Sequence, residues 1–395
     1  MPALLQSRND ADQTLRARLE FLSESDKEFW AFRGNSRRGH AHAFFQYPAM
    51  MVPQMQRALI QAVSTAKPAL TRAFDPYVGS GTTLTESMLH GLPFAGWDIN
   101  PLAILLCQAK SGPFHPKALA TKLEEVMGRV AADRSDTLET TLPNVKKWFR
   151  RPVRVSLSRL RRAIRSEPTL WARRFFWVAL ADAVRLTSNS RTSTFKLHIR
   201  EDEELRSRRV SPKEVFRETA VRNIEHLQAM CADLTERGLL TRGRYERDIQ
   251  ITLRDATRGR PVTGVSPGHD LLLSSPPYGD NKSTVPYGQY SYLPLNWIDG
   301  TDIVDTWDET WLRTTHEIDT RSLGGVIGRG DPDTRELCSL SPAFQQVEAA
   351  LRAQPRDRLK RVAAFCRDLN NSLGPILGEM RDGAYLIWTV GNRRV

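Results

Sequence analysis

Apolar residues recur along the chain with two different periods, and the alternation between them marks the elements. MQRALIQAV (55–63) spaces its apolar residues as a helix does. LTRAFDPYV (70–78) reads as a strand that breaks into Gly79-Ser80-Gly81-Thr82-Thr83. LTESMLHG (84–91) then reads as a helix closed by a glycine, and FAGWDI (94–99) as a second strand ending at Asn100-Pro101. Strand, glycine loop, helix and strand in that order open a parallel sheet with crossover helices. From about 113 the pattern changes to long helical segments (117–132, 155–165, 170–186, 212–237) with few strand signals. Strands return with DIQITLRDA (248–256), DLLLSSPPY (270–278) and GAYLIWTV (383–390). The pattern predicts an α/β core interrupted by a mostly helical insertion. Its divisions are a helical lead-in at 1–40, a first core half at 41–112, the insertion at 113–245 and a second core half at 246–395.

Composition narrows the class. The 395 residues are 40% hydrophobic and 26% charged, which suits a soluble globular chain. No apolar run approaches the ~20 residues that span a bilayer, and the N-terminus lacks the basic start and apolar core of a secretory signal. Cys107, Cys231, Cys338 and Cys366 are too widely spaced for a zinc pair or a disulfide framework, so a reducing cytoplasm is expected. The histidines are scattered and predict no metal site.

The loop Asp75-Pro76-Tyr77-Val78-Gly79-Ser80-Gly81-Thr82-Thr83 carries the first candidate chemistry. Glycines between a strand and a helix let a ligand approach the backbone, and the helix N-terminus offers free N–H groups. The loop has no GK[ST], and 74–90 contains no Lys or Arg, so a polyphosphate ligand is not expected. Asp98, at the end of the next strand, is placed to accept both hydroxyls of a ribose, and Asp75 to face a cationic amino group. Ribose plus an amino-acid zwitterion describes S-adenosylmethionine.

The second candidate is Ser275-Pro276-Pro277-Tyr278, where an apolar strand stops in two prolines. Proline cannot continue a central ladder, so the pair fixes a rigid loop at the C-terminal edge of the sheet. The Ser275 hydroxyl and a proline carbonyl can accept hydrogens from an exocyclic amino group, while Tyr278 offers an aromatic face to a flipped base.

Taken together the two constellations resemble the DNA amino-methyltransferases of the N4-cytosine and N6-adenine type. DPYVGSGTT is similar to that family's cofactor motif, GWDINP to its second acidic motif and SSPPYGDN to its catalytic motif. FFQYPAMMVP, with Tyr47 and Pro48, is similar to the motif that closes over the methionine end of the cofactor, and Asp255 to the acidic position contacting adenine. The resemblance implies a Rossmann-like methyltransferase sheet. It also implies a cofactor site of Tyr47, Pro48, Asp75, Gly79, Ser80, Gly81, Thr82, Asp98 and Asp255, and catalysis by Ser275, Pro276, Pro277 and Tyr278. Direct transfer, without covalent intermediate or metal, is the implied reaction. Serine before the prolines leans towards N4 of cytosine. N6-adenine methylation, an RNA base methyltransferase and a catalytically silent DNA-binding subunit are the alternatives. The chain contains no Pro-Cys pair, so C5-cytosine chemistry is not expected.

Charge points to the partner. The net charge is +12, and residues 146–174 hold eleven Lys/Arg against one acid, Glu167. Concentrated positive charge is the footprint of a phosphate backbone, so double-stranded DNA is the expected partner, with Arg161, Arg162 and Arg165 as phosphate contacts. The aromatics Trp171, Phe175 and Phe176 read as core, Asp299 to Asp308 as a solvated acidic face, and Tyr287, Tyr290 and Tyr292 as lining the base pocket or packing. A cognate restriction endonuclease is a further expected partner. In the family resembled, the strand matching GAYLIWTV is followed by a hairpin, for which Gly391–Val395 is too short. The expectation is an exposed apolar edge at 384–390, to be covered by the insertion or by a completing C-terminal chain.

Overall fold

In the computed structural model, residues 2–32, 39–258, 268–277, 285–328 and 331–390 are described. Helices α1 (Pro2–Ser25) and α2 (Pro53–Ala66) lead into β1 (Ala73–Asp75), α3 (Thr82–Leu89), β2 (Phe94–Asp98) and α4 (Pro101–Lys110). A helical block follows: α5 (Pro116–Ala132), α6 (Val145–Trp148), α7 (Arg151–Arg165), α8 (Leu170–Thr187), α9 (Asp202–Ser207) and α10 (Pro212–Glu236). A small antiparallel hairpin, β3 (Leu240–Thr241) and β4 (Arg244–Tyr245), returns the chain to β5 (Ile249–Leu253) and β6 (His269–Ser274). Helices α11 (Tyr287–Leu295), α12 (Glu317–Arg321), α13 (Asp331–Leu340), α14 (Pro342–Leu351) and α15 (Arg356–Leu377) precede β7 (Met380–Trp388).

The sheet has the order β5-β2-β1-β6-β7, and every pair in it is parallel. Phe74 pairs with Ala95 on one side and Leu272 on the other. Strand order therefore reverses across β1 and β6, and a crevice opens at such a switch point beyond the C-terminal strand ends. β1 and β6 are buried along their whole length, as strands covered on both faces must be. The fold is the expected Rossmann-like α/β core with a helical insertion.

The insertion does not stand apart from the sheet. Phe175, Phe176, Trp177 and Phe216 belong to the same hydrophobic cluster as Leu84, Leu105 and Leu271. Phe44, ahead of the cofactor loop, meets Phe175 edge-on at 5.7 Å. The core reading of Phe175 and Phe176 holds, and half-buried Trp171 packs against that cluster. Trp177 is fully buried and donates its indole N–H to Asp302 Oδ2 at 2.7 Å. Asp302 also forms an ion pair with Arg173 at 2.7 Å, so the acidic stretch 299–308 is not simply a solvated face. Its carboxylates neutralise the insertion's arginines.

β7 pairs with β6, and among the described residues no strand pairs with its other edge. Leu15 of α1 packs against the core together with Tyr385 and Ile387, and the Tyr385 hydroxyl bonds Asp12 at 2.9 Å. The lead-in helix thus lies against β7, while Leu386 stays 39% exposed.

One shared core predicts one melting transition. Trp177→Ala, which removes a buried indole and its hydrogen bond to Asp302, should cost about 3–5 kcal/mol and lower the whole transition. Two separated transitions in a calorimetric scan would contradict a common core.

Candidate active site

A cleft opens at the switch point, beyond the C-terminal ends of β1, β2 and β6. Its walls come from five places in the sequence: Tyr47–Met51, the loop after β1, the end of β2 with Asn100, the segment after β5, and the Ser-Pro-Pro loop after β6. Tyr287 of α11 and Arg321 of α12 close the remaining side.

β1 ends at Asp75 because the chain must turn at once into α3. Gly79 and Gly81 take φ of +49° and +76°, values that an L side chain adopts only with strain. They serve different purposes. Gly79 lines the cleft, and its N–H donates to Asp98 Oδ2 at 2.8 Å. Gly81 does not line it; a Cβ there would sit 3.0 Å from Cys107 Sγ, so Gly81 allows α3 and α4 to pack. Ser80 and Thr82 reach the cleft.

Asp98 terminates β2 with both carboxylate oxygens engaged, Oδ2 by Gly79 and Oδ1 by the Asn100 N–H at 2.8 Å. Each oxygen keeps a further lone pair, so the group remains able to accept hydroxyls from the cleft. Asn100 is a buried hub. Its Nδ2 donates to the Tyr47 hydroxyl and to Ser291 Oγ, each at 2.8 Å, and its Oδ1 caps α4 through the Leu102 N–H. Tyr47 is thereby fixed against the loop, and Pro48 beside it lines the cleft. Ala49 takes φ of +51°, a conformation costing an L residue about 1–2 kcal/mol. Asp255 lines the cleft with Oδ1 held by the Thr257 N–H and hydroxyl and Oδ2 paired with Arg258.

Asp75, like Gly81, is an exception among the expected cofactor contacts. It is fully buried and does not line the cleft, because the loop folds over it. Its Oδ1 accepts from the Ser274 hydroxyl at 2.5 Å and the Tyr77 N–H at 3.0 Å, while Oδ2 is buried without a partner. Ser274 is the last residue of β6, immediately before Ser275. The floor of the cofactor loop is therefore bonded to the root of the Ser-Pro-Pro loop, and Thr83 adds a second tie by donating to the Leu273 carbonyl at 3.1 Å. Ser275 and Pro277 line the cleft; Pro276 lies between them; Tyr278 is outside the described residues.

Lys110 and Arg321 carried no sequence signal. Lys110, on α4, is buried and donates to the Ser80 carbonyl at 2.6 Å, bracing the loop from behind. Arg254 stacks 3.7 Å from the centre of the Trp97 ring and pairs with Glu379. Arg321 pairs with Glu317 at 3.0 Å and stacks on Trp311. Arg321 meets the cleft only because a distant helix packs there, and no local motif flags it or Lys110; Arg254 lies beside Asp255 in the segment after β5. Tyr287 reaches the cleft as one of the expected tyrosines, whereas Tyr290 and Tyr292 are buried in the core.

The arginines expected at phosphates are occupied within the chain. Arg162 pairs with Asp133 at 2.8 Å and Glu139 at 3.1 Å, Arg161 with Glu139 at 3.6 Å, and Arg165 with Asp299 at 3.1 Å. The helix carrying them buries Val153, Leu157, Leu160 and Ile164 and turns its basic face to the segment 133–139.

Burial pushes the Asp75 carboxyl up to about 7 and the Asp98 carboxyl up to about 6, against hydrogen bonds that lower both. Burial holds Lys110 down to about 8. A carboxyl that binds its proton more tightly when folded contributes stability that is complete below about pH 4 and lost as pH rises through 6 to 7. Lys110 acts oppositely, its contribution being complete above about pH 10 and lost as pH falls through 8. Asp75→Asn retains the acceptor for Ser274 and Tyr77, so it should flatten the decline of melting temperature between pH 4 and 7. A slope equal to that of the unmodified protein would remove Asp75 from this role.

No protein-family model and no solved structure matches the chain. Among curated proteins it is 29% identical over 397 residues to the type II methyltransferase M.MvaI of Kocuria varians, an alignment covering 98% of this chain and 84% of that protein. It is also 25% identical over 112 residues to the type II methyltransferase M.MjaII of Methanocaldococcus jannaschii, covering 28% of this chain and 21% of the relative. The chain is thus similar, across both halves of the cleft and the insertion between them, to a type II methyltransferase.

Proposed function

We propose that the protein is a site-specific DNA methyltransferase that uses S-adenosylmethionine and modifies an exocyclic amino group, N4 of cytosine. The observation that carries this reading is the convergence of the glycine loop, Asp98 and the Ser-Pro-Pro loop on one cleft, from segments far apart in sequence. The full-length similarity to a type II methyltransferase supports it.

The residues present suit the cofactor. Asp98 keeps lone pairs for a ribose diol, Asp255 follows the neighbouring strand end and suits an adenine amino group, and Gly79, Ser80 and Tyr47 line the same cleft. When bound, S-adenosylmethionine supplies an electrophilic methyl on a sulfonium centre. The chain's own contribution is positioning and hydrogen bonding. Ser275 and the Pro276 carbonyl accept the hydrogens of the target amino group, which keeps its nitrogen lone pair directed outward. The two prolines hold both acceptors rigid, and Tyr278 stacks on the base. The Asp75–Ser274 bond fixes this loop relative to the cofactor loop. In this mechanism no side chain acts as a strong base, because the product can release its proton to solvent.

Two measurements follow. Asp98→Ala should weaken S-adenosylmethionine binding by about 1.5–3 kcal/mol in calorimetry, the scale of a hydrogen bond to a charged group. Unchanged affinity in a folded variant would refute the ribose assignment. Duplex DNA treated with the protein and cofactor should yield N4-methylcytosine on hydrolysis, and Tyr278→Ala should abolish that product while cofactor still binds. N6-methyladenine as the product would move the target base to adenine, and methyl transfer to RNA alone would overturn the DNA assignment.

A further inference from the structure

Within residues 146–174 the arginines of the second half of α7 are not free cations. Internal carboxylates consume Arg161, Arg162, Arg165 and Arg173. Arg150, at the start of α7, instead gathers with three arginines from the far end of the insertion, at the junction of α7, α8 and α10. There an open groove is lined by Arg150, Arg206, Arg208 and Arg209, with Glu214 as its single carboxylate. Among the described residues no carboxylate lies within ion-pair reach of Arg150, Arg206 or Arg209, and all three side chains are exposed. Arg208 is half-buried and caps the end of α8 by donating to the carbonyls of Leu186 and Ser188. Burial, with the like charges of Arg200 and Arg150, lowers its pKa. Cations held this close, with Glu214 as the one carboxylate lining the groove, raise the local potential, and an anion entering the groove relieves it.

One chain segment separates the groove from a second recess. The segment 187–190 forms one wall of the groove, and the other side of that segment faces this smaller recess, lined by Arg185, Arg191 and Lys196. Arg185 approaches Gln46 at 3.5 Å and stacks on Tyr290; the Leu197 N–H donates to Gln289 at 3.1 Å. Gln46 adjoins Tyr47, and Gln289 lies one turn from Tyr287, both of which line the cleft. That recess adjoins residues next to the cleft lining, and of its cations Arg185 and Arg191 are paired with Asp182 and Glu201.

We propose that this groove, through Arg150, Arg206 and Arg209, holds the phosphodiester backbone of duplex DNA flanking the modified base, in place of the arginine-rich face of α7. The proposal rests on the DNA methyltransferase reading for its partner. Its test does not require turnover. Binding of the full chain to a short fluorescent mixed-sequence DNA duplex is measured by anisotropy over a series of salt concentrations. The triple variant Arg150→Gln, Arg206→Gln, Arg209→Gln should reduce the log–log salt slope by about 0.9 per lost phosphate contact, about 2.7 in all. Each single variant should reduce it by about 0.9, which keeps the test open if the triple variant fails to fold. Arg161→Gln with Arg162→Gln should leave the slope unchanged.

An unchanged slope in the folded groove variants overturns the proposal, as does an equal fall in the α7 variant or tighter binding of an RNA duplex of the same sequence. The two readings fail separately. Methyl transfer to DNA with an unaltered slope sinks the groove alone, whereas a reduced slope with no transfer from labelled cofactor sinks the catalytic reading alone.

Discussion

The parallel pairing of β1 with β6 is the constraint on which the rest depends. Parallel strands end at the same edge of a sheet, so the loops that follow them must open side by side. Here that geometry is reinforced by a direct bond, from the Ser274 hydroxyl to buried Asp75, and by the Thr83 bond to Leu273. A carboxyl without access to water is costly, and its cost is offset only when Ser274 and the Tyr77 N–H stand where they do. A shift of β6 by one residue would turn every side chain to the opposite face and strand Asp75. The glycine loop and the Ser-Pro-Pro loop therefore face one cleft as a property of strand register.

The helical insertion follows from the same economy. Its aromatic residues complete the core under the sheet, and its arginines find acids supplied by the later segment 299–302. Ion pairs of this kind contribute little individually when exposed, but they fix which cations face inward and which remain for a partner. Charge density along the sequence and charge available on the surface are consequently different quantities in this protein. The helix richest in arginine has much of its charge compensated, while the junction of α7, α8 and α10 does not.

Much of the fold was legible in the sequence. The strands near 73, 94, 249, 270 and 380, and the helices at 53–66, 82–89, 116–132, 170–187 and 212–236, lie where hydrophobic period and turn residues placed them. Asp98, Gly79, Ser80, Thr82, Ser275 and Pro277 reach the cleft as expected, because a loop fixed by glycine or proline at a strand end has few places to go. The helices after β6 were less legible, having mixed composition and no strand between them to set a boundary.

Sequence alone determined local chemistry: which loops are rigid, which strands are buried on both faces, and which residues could meet a ribose or an amino group. Tertiary structure alone decided which of those residues share a site and which are spent. It moved Asp75 beneath the loop and Gly81 into helix packing, and it brought in Lys110 and Arg321. It also paired Arg161, Arg162 and Arg165 with acids. The physical reason is that burial and ion pairing depend on what packs against a side chain from distant parts of the chain, and no local pattern encodes that neighbour.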